Sequence, residues 1–254
     1  MSKKSRVDQL LVERDLAPSR ARAQALIMAG AVYTDTVRIE KPGQTLAVDA
    51  PLSVRGEDHA YVSRGGVKLA GALDGFAVDV TGKRCLDVGA STGGFTDCLL
   101  QRGAVQVIAV DVGYGQLAHK LRVDPRVVSM ERTNARALTA ADIGGAVDLV
   151  VVDASFIGLG KLMQGIAACT KPGGELVALV KPQFEVGKAE ATRSRGVVRD
   201  DDVRSEAIAL AIADVAAVGF AIKGHQDCVI EGPKGNREAF VYAAMASRGN
   251  EEPA

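Results

Sequence analysis

The sequence predicts an α/β protein: a mostly parallel sheet with helices on both faces, preceded by a small α+β module. Three observations carry this. From Arg84 onward, short apolar runs alternate with helical stretches. Several of those runs end on a charged residue, at the edge where open α/β sheets bind ligands. Ahead of them, residues 6–54 read as two short helices and a set of short strands, closed by a polar connector. The chain has 254 residues, 47% of them hydrophobic, enough to bury one large core and one small one. The domains are expected at 1–60 and 61–250.

The formal net charge is zero, which gives no overall field for nucleic acid. Its distribution is uneven: eight Lys/Arg against five Asp/Glu through Lys41, a surplus of +3 that the remainder offsets. Cys85, Cys98, Cys169 and Cys228 are widely spaced, and the three histidines are isolated. Buried free thiols are expected, and no metal site. The polar start lacks the apolar segment of a signal peptide, and no apolar stretch approaches the roughly 20 residues that span a bilayer. A soluble, cytoplasmic protein is expected.

In chain order, Val7, Leu10 and Leu11 recur at helical spacing. Pro18 breaks the chain, and Ser19 is an N-cap for a second helix that stops at Gly30. Arg20 and Gln24, four apart, share a face of that helix, with Arg22 nearby. Strands follow at 31–34, from Val37, and from Thr45 toward Val54, and then the connector Arg55–His59. A helix from near Gly65 carries Lys68. Strands are expected at Arg84–Val88, Val105–Val110, Leu149–Val152, Leu176–Val180 and Val229–Ile230. Helices are expected at Gly94–Gln101, Leu159–Cys169 and Val203–Val218, with a frayed tail from Ser247.

Leu86-Asp-Val-Gly-Ala-Ser-Thr-Gly-Gly-Phe95 reads as strand, glycine-rich turn and helix start. Ser91 stands where the dinucleotide fingerprint needs its second glycine, and no Gly-Lys-Ser/Thr of a phosphate loop is present. Asp111 follows the next strand, where an acid receives a ribose hydroxyl pair. The Asp-x-Gly-x-x-x-Gly-Gly form at Asp87–Gly94 resembles the first motif of S-adenosylmethionine-dependent methyltransferases. The resemblance implies a Rossmann-like, seven-stranded, mostly parallel sheet. It also implies that Gly89, Ala90, Ser91, Thr92, Gly93, Gly94 and Phe95 line the cofactor, that Asp111 holds its ribose, and that Asn134 meets its adenine. S-adenosylmethionine is then the cofactor and S-adenosylhomocysteine the product.

Asp153 and Lys181 end buried runs, and Glu238 opens a last one after a Gly/Pro-rich turn. Taken singly, each such charge reads as solvated surface or a structural ion pair. With Lys68 they form the order Lys-Asp-Lys-Glu, which resembles the catalytic tetrad of the FtsJ family of RNA ribose 2′-O-methyltransferases. The local forms Ser63-Arg-Gly-Gly-Val-Lys68, Val151-Val-Asp-Ala-Ser155, Val180-Lys-Pro-Gln-Phe184 and Asn236-Arg-Glu-Ala-Phe240 agree. By that resemblance Lys181 is the base. A lysine is ordinarily protonated, with a pKa of about 10.4, so burial and a second cation would have to favour its neutral form. Asp153 and Glu238 would orient the lysines.

The front module resembles the small RNA-binding domain first recognised in a small-subunit ribosomal protein. That resemblance implies phosphate contacts from Arg20, Arg22 and Gln24, with Arg6 and Lys41 beside them, in the shape-reading mode suited to folded RNA. Taken bare, the same residues are a solvated helical face. The two parts together look like the TlyA family, which implies methylation of a cytidine ribose 2′-hydroxyl in ribosomal RNA, within a ribosomal subunit and with no required protein partner. Two other classes are weighed against it: an RNA-binding assembly protein with a vestigial cofactor site, and a haemolysin. The sequence has no apolar hairpin or strongly amphipathic cationic helix for the latter. Unlike many family linkers, Arg55–His59 holds no aromatic residue.

Overall fold

A computed structural model describes residues 4–17, 19–28, 30–54, 60–186, 197–232 and 235–247. The connector Arg55–His59 and the tail beyond Ser247 fall outside the described residues. The chain divides into two compact units, Met1–Ala60 and Tyr61–Ala254.

In the first unit, β1 (Lys4–Arg6) leads directly into α1 (Val7–Glu13), and α2 spans Arg20–Met28. Ser19 Oγ accepts the Arg22 amide hydrogen at 3.2 Å, as an N-cap does. The chain leaves α2 through Gly30 at φ +72°. β2 (Val32–Thr34) pairs antiparallel with both β3 (Val37–Arg38) and β5 (Ser53–Val54). β4 (Thr45–Ala47) pairs with β1, a strand that the sequence pattern does not announce. Val7, Leu11, Ala23, Ile27, Val32 and Ile39 close the small core between helices and strands.

The second unit opens with α3 (Arg64–Gly75). There follow β6 (Arg84–Val88), α4 (Gly94–Gln101), β7 (Gln106–Val110), α5 (His119–Arg122), β8 (Val127–Met130) and β9 (Val147–Val152). The chain continues through α6 (Met163–Cys169), β10 (Thr170–Val180), α7 (Pro182–Glu185), α8 (Asp201–Ala217), β11 (Phe220–Asp227) and β12 (Ala239–Met245). The seven strands lie in the order β11-β12-β10-β9-β6-β7-β8. Neighbours from β10 to β8 are parallel, and β12 runs antiparallel to both β10 and β11. The sheet is therefore mostly parallel, with a separate buried cluster on each face. The first strand, β6, lies between β9 and β7, so the chain leaves it in both directions and opens a crevice at its carboxyl end.

The structure corrects the last expected strand. Val229 and Ile230 form a bend, and the strand lies just before them at Phe220–Asp227. Val229 is 57% exposed and packs over Gly71 of α3, where an added Cβ would meet its methyl at 2.6 Å. β11 is not an apolar run because it is an edge strand whose side chains, after buried Phe220, alternate between exposed and half-covered. The helix expected over Leu159–Cys169 begins as a 3-10 turn, Leu159–Lys161, before α6. Cys85, Cys98 and Cys169 are buried thiols pushed up to between about 11 and 12 by desolvation. Among the described residues no helix is long and apolar enough to cross a membrane.

Candidate active site

Sheet topology brings the four charged residues to one edge as two ion pairs. Asp153 follows β9 and Lys181 follows β10, two parallel neighbours. Because β12 is antiparallel to β10, with Ala239 opposite Val180, Glu238 at its start lies at this same edge. Lys181 has the extended backbone (φ −110°, ψ 99°) expected before Pro182, which opens α7. Lys68, in the first half of α3, reaches Glu238 with Nζ–Oε2 at 2.5 Å, their side chains 9% and 2% exposed. Gly232 leaves room for this carboxylate: a Cβ there would stand 2.8 Å from Glu238 Oε1. Lys181 Nζ lies 2.6 Å from Asp153 Oδ1, at 11% and 24% exposure. That contact is close but poorly directed, since Asp153 Oδ1 receives no well-aligned hydrogen bond. Lys181 Nζ also donates to Ser155 Oγ at 2.7 Å.

Beside these pairs a cavity of about 600 Å³ lies in the crevice, its wall including Gly89, Ser91, Asp111, Asn134, Asp153 and Ser155. That volume suits a nucleoside-sized ligand. Asp111 closes the glycine-rich turn: its Oδ2 accepts from the Ser91 amide at 2.8 Å and its Oδ1 from the Gly113 amide at 2.7 Å. Each oxygen keeps a second lone pair for a ribose diol. Asn134 Oδ1 accepts from the Arg136 amide, so the side chain offers its NH2 as donor. Gly89, at φ +85°, runs against the backbone of Asp153, where a Cβ would meet the carbonyl oxygen at 2.7 Å. No larger residue lets the turn lie this close to β9.

Part of the expected loop faces elsewhere. Phe95 points into the core and stacks on Phe240 at 6.1 Å, because α4 begins at Gly94 and turns its apolar face inward. Ala90 is buried in the same cluster. Gly93 and Gly94 lie under Leu121 and Ser63. Thr92 is exposed, and its carbonyl accepts from the Ala118 amide. Asp87, fully buried in β6, accepts a 2.6 Å bond from Thr96 Oγ1 on one oxygen, while the other has no partner. Burial pushes its carboxyl up to about 7 against the Thr96 bond, with Asp153 and Asp111 adding to the rise.

In the first unit, Arg6, Arg20 and Gln24 meet on the buried carboxylate of Asp8, each at 2.9 Å. The Arg6 guanidinium, with Gln24 and Arg20, holds that carboxyl well below the usual carboxylate range despite its burial. Arg20 uses only its Nε here, and its fork stays half exposed. Arg22 is half-buried and Lys41 exposed. Asp8 and Ser155 are site residues that the sequence pattern does not single out. Their only sequence signals are an acid two places after Arg6 and a hydroxyl two places after Asp153.

Residues 61–245 match the FtsJ-like methyltransferase family, and residues 5–50 match the S4 domain. The chain is 46% identical, over 99% of its length and 96% of the relative's, to the 16S/23S rRNA (cytidine-2′-O)-methyltransferase TlyA of Mycobacterium tuberculosis. The chain belongs to the TlyA family of FtsJ-like methyltransferases. Another relative, Hemolysin A of Brachyspira hyodysenteriae, is 38% identical over 93% of this chain and 98% of that one. Among solved structures, a hemolysin-named protein of Streptococcus thermophilus superposes with a TM-score of 0.75 at 39% identity, covering 97% of this chain and 90% of that one. The N-methyltransferase NodS of Bradyrhizobium japonicum shares the fold alone, at 15% identity and a TM-score of 0.51, covering 72% and 97%. The fold and the family imply that S-adenosylmethionine is used, and the crevice fits it in volume, in an acid with acceptor capacity to spare and in its close-packed glycine turn. Among the described residues no group of three or more His, Cys, Asp or Glu is arranged to hold a metal ion.

Proposed function

We propose that this protein transfers a methyl group to the ribose 2′-hydroxyl of a cytidine in ribosomal RNA, acting on a ribosomal subunit in the cytoplasm. One observation carries the reading: two lysine–carboxylate pairs stand at the sheet edge that also walls the crevice, beside an acid suited to a ribose. The name of the M. tuberculosis relative supplies the base and the RNA class.

S-adenosylmethionine supplies the methyl as an electrophile. Gly89, Ser91, Asp111 and Asn134 hold it, Asp111 through the ribose. Lys181 takes the proton of the acceptor hydroxyl, and Asp153 holds the amine in place. Lys68 and Glu238 neutralise each other in a nearly buried pair at the sheet edge that carries Lys181. Arg6, Arg20 and Gln24 present a preformed donor surface to phosphates, with Arg22 and Lys41 adding charge. The nucleotide must leave its stack for the hydroxyl to reach Lys181, as in base flipping.

The test compares wild type with Lys181→Ala on ribosomal subunits from cells lacking the protein, using labelled S-adenosylmethionine and mapping of ribose methylation. The variant is expected to bind cofactor normally and to transfer no label. Wild-type labelling by Lys181→Ala would refute the assignment of the base. Subunit binding without any labelling by the native protein would instead make it an assembly factor.

A further inference from the structure

We infer that Ser155 is a positioning residue for Lys181, fixing the direction in which the amine meets the acceptor hydroxyl; this rests on the reading of Lys181 as the base. A lysine nitrogen is tetrahedral, with three positions for hydrogen or a lone pair beyond its carbon. At the rim of the crevice Ser155 Oγ takes one of them at 2.7 Å, while Asp153 Oδ1 lies 2.6 Å from the nitrogen without meeting hydrogen-bond geometry. The serine bond fixes the direction of the other two, one of which is offered to the substrate. The two partners are not equivalent. The Asp153 contact is short but badly aligned, so it sets distance and charge without setting direction. The serine contact meets hydrogen-bond geometry and therefore orients the nitrogen.

The loop that carries Ser155 is tied to the turn that carries Lys181. α7 begins at the next residue, and its Glu185 Oε1 accepts from the Leu159 amide at 2.9 Å. Phe184 of α7 meets Phe156 with ring centroids 5.3 Å apart. The loop takes a strained backbone to make these contacts, with Phe156 at φ +67°. Two ties on one side of the lysine and one hydroxyl on it are more than the ion pair alone needs. Together they hold Ser155 at a set place relative to Nζ.

In the step itself the acceptor O–H bond breaks and an N–H bond forms on Lys181. The oxygen's electron pair forms the bond to the methyl carbon, whose bond to sulfur breaks with its pair left on sulfur. Ser155 neither gains nor loses a proton. While it accepts from Lys181, rotation about the Cε–Nζ bond is held and the amine's lone pair keeps its direction toward the substrate; without it, the nitrogen can rotate that lone pair away.

The experiment uses the full-length protein and the variants Ser155→Ala, Ser155→Thr and Lys181→Ala. Single-turnover methylation of ribosomal subunits, KM for subunits, and S-adenosylhomocysteine binding by calorimetry are measured. Ser155→Ala is expected to lose roughly 10- to 100-fold in methyl-transfer rate, the range for one hydrogen bond to a group that becomes charged as it takes the proton. Its KM and cofactor affinity should stay within about twofold, which marks an effect confined to the transition state. Ser155→Thr, which keeps the hydroxyl, should recover most of the rate. A Ser155→Ala enzyme of full rate overturns the proposal. So does a rate loss matched by lost cofactor binding, or a Thr variant as impaired as the Ala variant. Full activity in Lys181→Ala overturns the base itself, a separate outcome from an inactive Lys181→Ala beside a fully active Ser155→Ala.

Discussion

Replacing Glu238 by Gln leaves Lys68 charged, enclosed and without a counter-ion. With side chains only 9% and 2% exposed and 2.5 Å between the charged atoms, this pair meets the condition under which losing one partner is most damaging. Such losses fall at about 3–5 kcal/mol; the amide can still accept a hydrogen bond, so the lower end, about 3 kcal/mol, is expected. With a urea dependence of about 2 kcal/mol per molar, the midpoint of the second unit should fall by roughly 1.5 M. Circular dichroism at 222 nm follows it, since the chain has no tryptophan. The double variant Lys68→Met, Glu238→Leu removes both charges and should return to within about 1 kcal/mol of wild type, because an apolar pair replaces an ionic one at little net cost. Both variants should be inactive in methyl transfer, which separates the stabilising effect of the pair from its place in the site. A Glu238→Gln midpoint within about 0.3 M of wild type would refute the reasoning, since it would mean the pair is solvated.

Asp87 gives a pH signature. Its folded carboxyl is pushed up to about 7 by burial, whereas an unfolded aspartate titrates near 3.9. Between about pH 4 and 7 the folded state holds a proton that the unfolded state releases, so stability should decline across that window as pH rises. Asp87→Asn should flatten the decline in urea midpoints taken from pH 4 to 8, and an unchanged slope would place the cause elsewhere. Asp111→Ala removes a ribose acceptor and frees the Ser91 and Gly113 amides, so S-adenosylhomocysteine should bind about 100-fold more weakly by calorimetry. Affinity within a few-fold of wild type would remove Asp111 from the site. Arg20→Ala should weaken binding to ribosomal RNA and reduce the magnitude of its log–log salt slope by about one, measured by filter binding across salt concentrations. An identical slope would return Arg20 to a purely structural partner of Asp8.

The sequence by itself determined the parts that depend on local pattern. β6, β7, β9 and β10 are apolar runs buried on both faces, and such runs announce themselves without any knowledge of their neighbours. The turn at Asp87–Phe95 and the acid at Asp111 were legible for the same reason. Gly89 is needed where the backbone must press against β9, and a ligand-facing acid belongs at a strand end. The tetrad order was legible as a resemblance, residue by residue.

Tertiary structure alone decided which charges meet. Lys68 and Glu238 are 170 residues apart, and they pair only because β12 turns back antiparallel along β10 and delivers Glu238 to the sheet edge. No local property of either residue encodes that reversal. The same holds for Phe95, whose ring could have faced the cavity until α4 packed its apolar side inward, and for β11, which looks polar because it is an edge strand. Asp8 looks like an ordinary helix-start acid, yet it gathers an arginine from β1 and an arginine and a glutamine from α2. Element type follows from spacing along the chain, whereas pairing, burial and hydrogen-bond partners follow from contacts between distant segments, and those exist only once the sheet has formed.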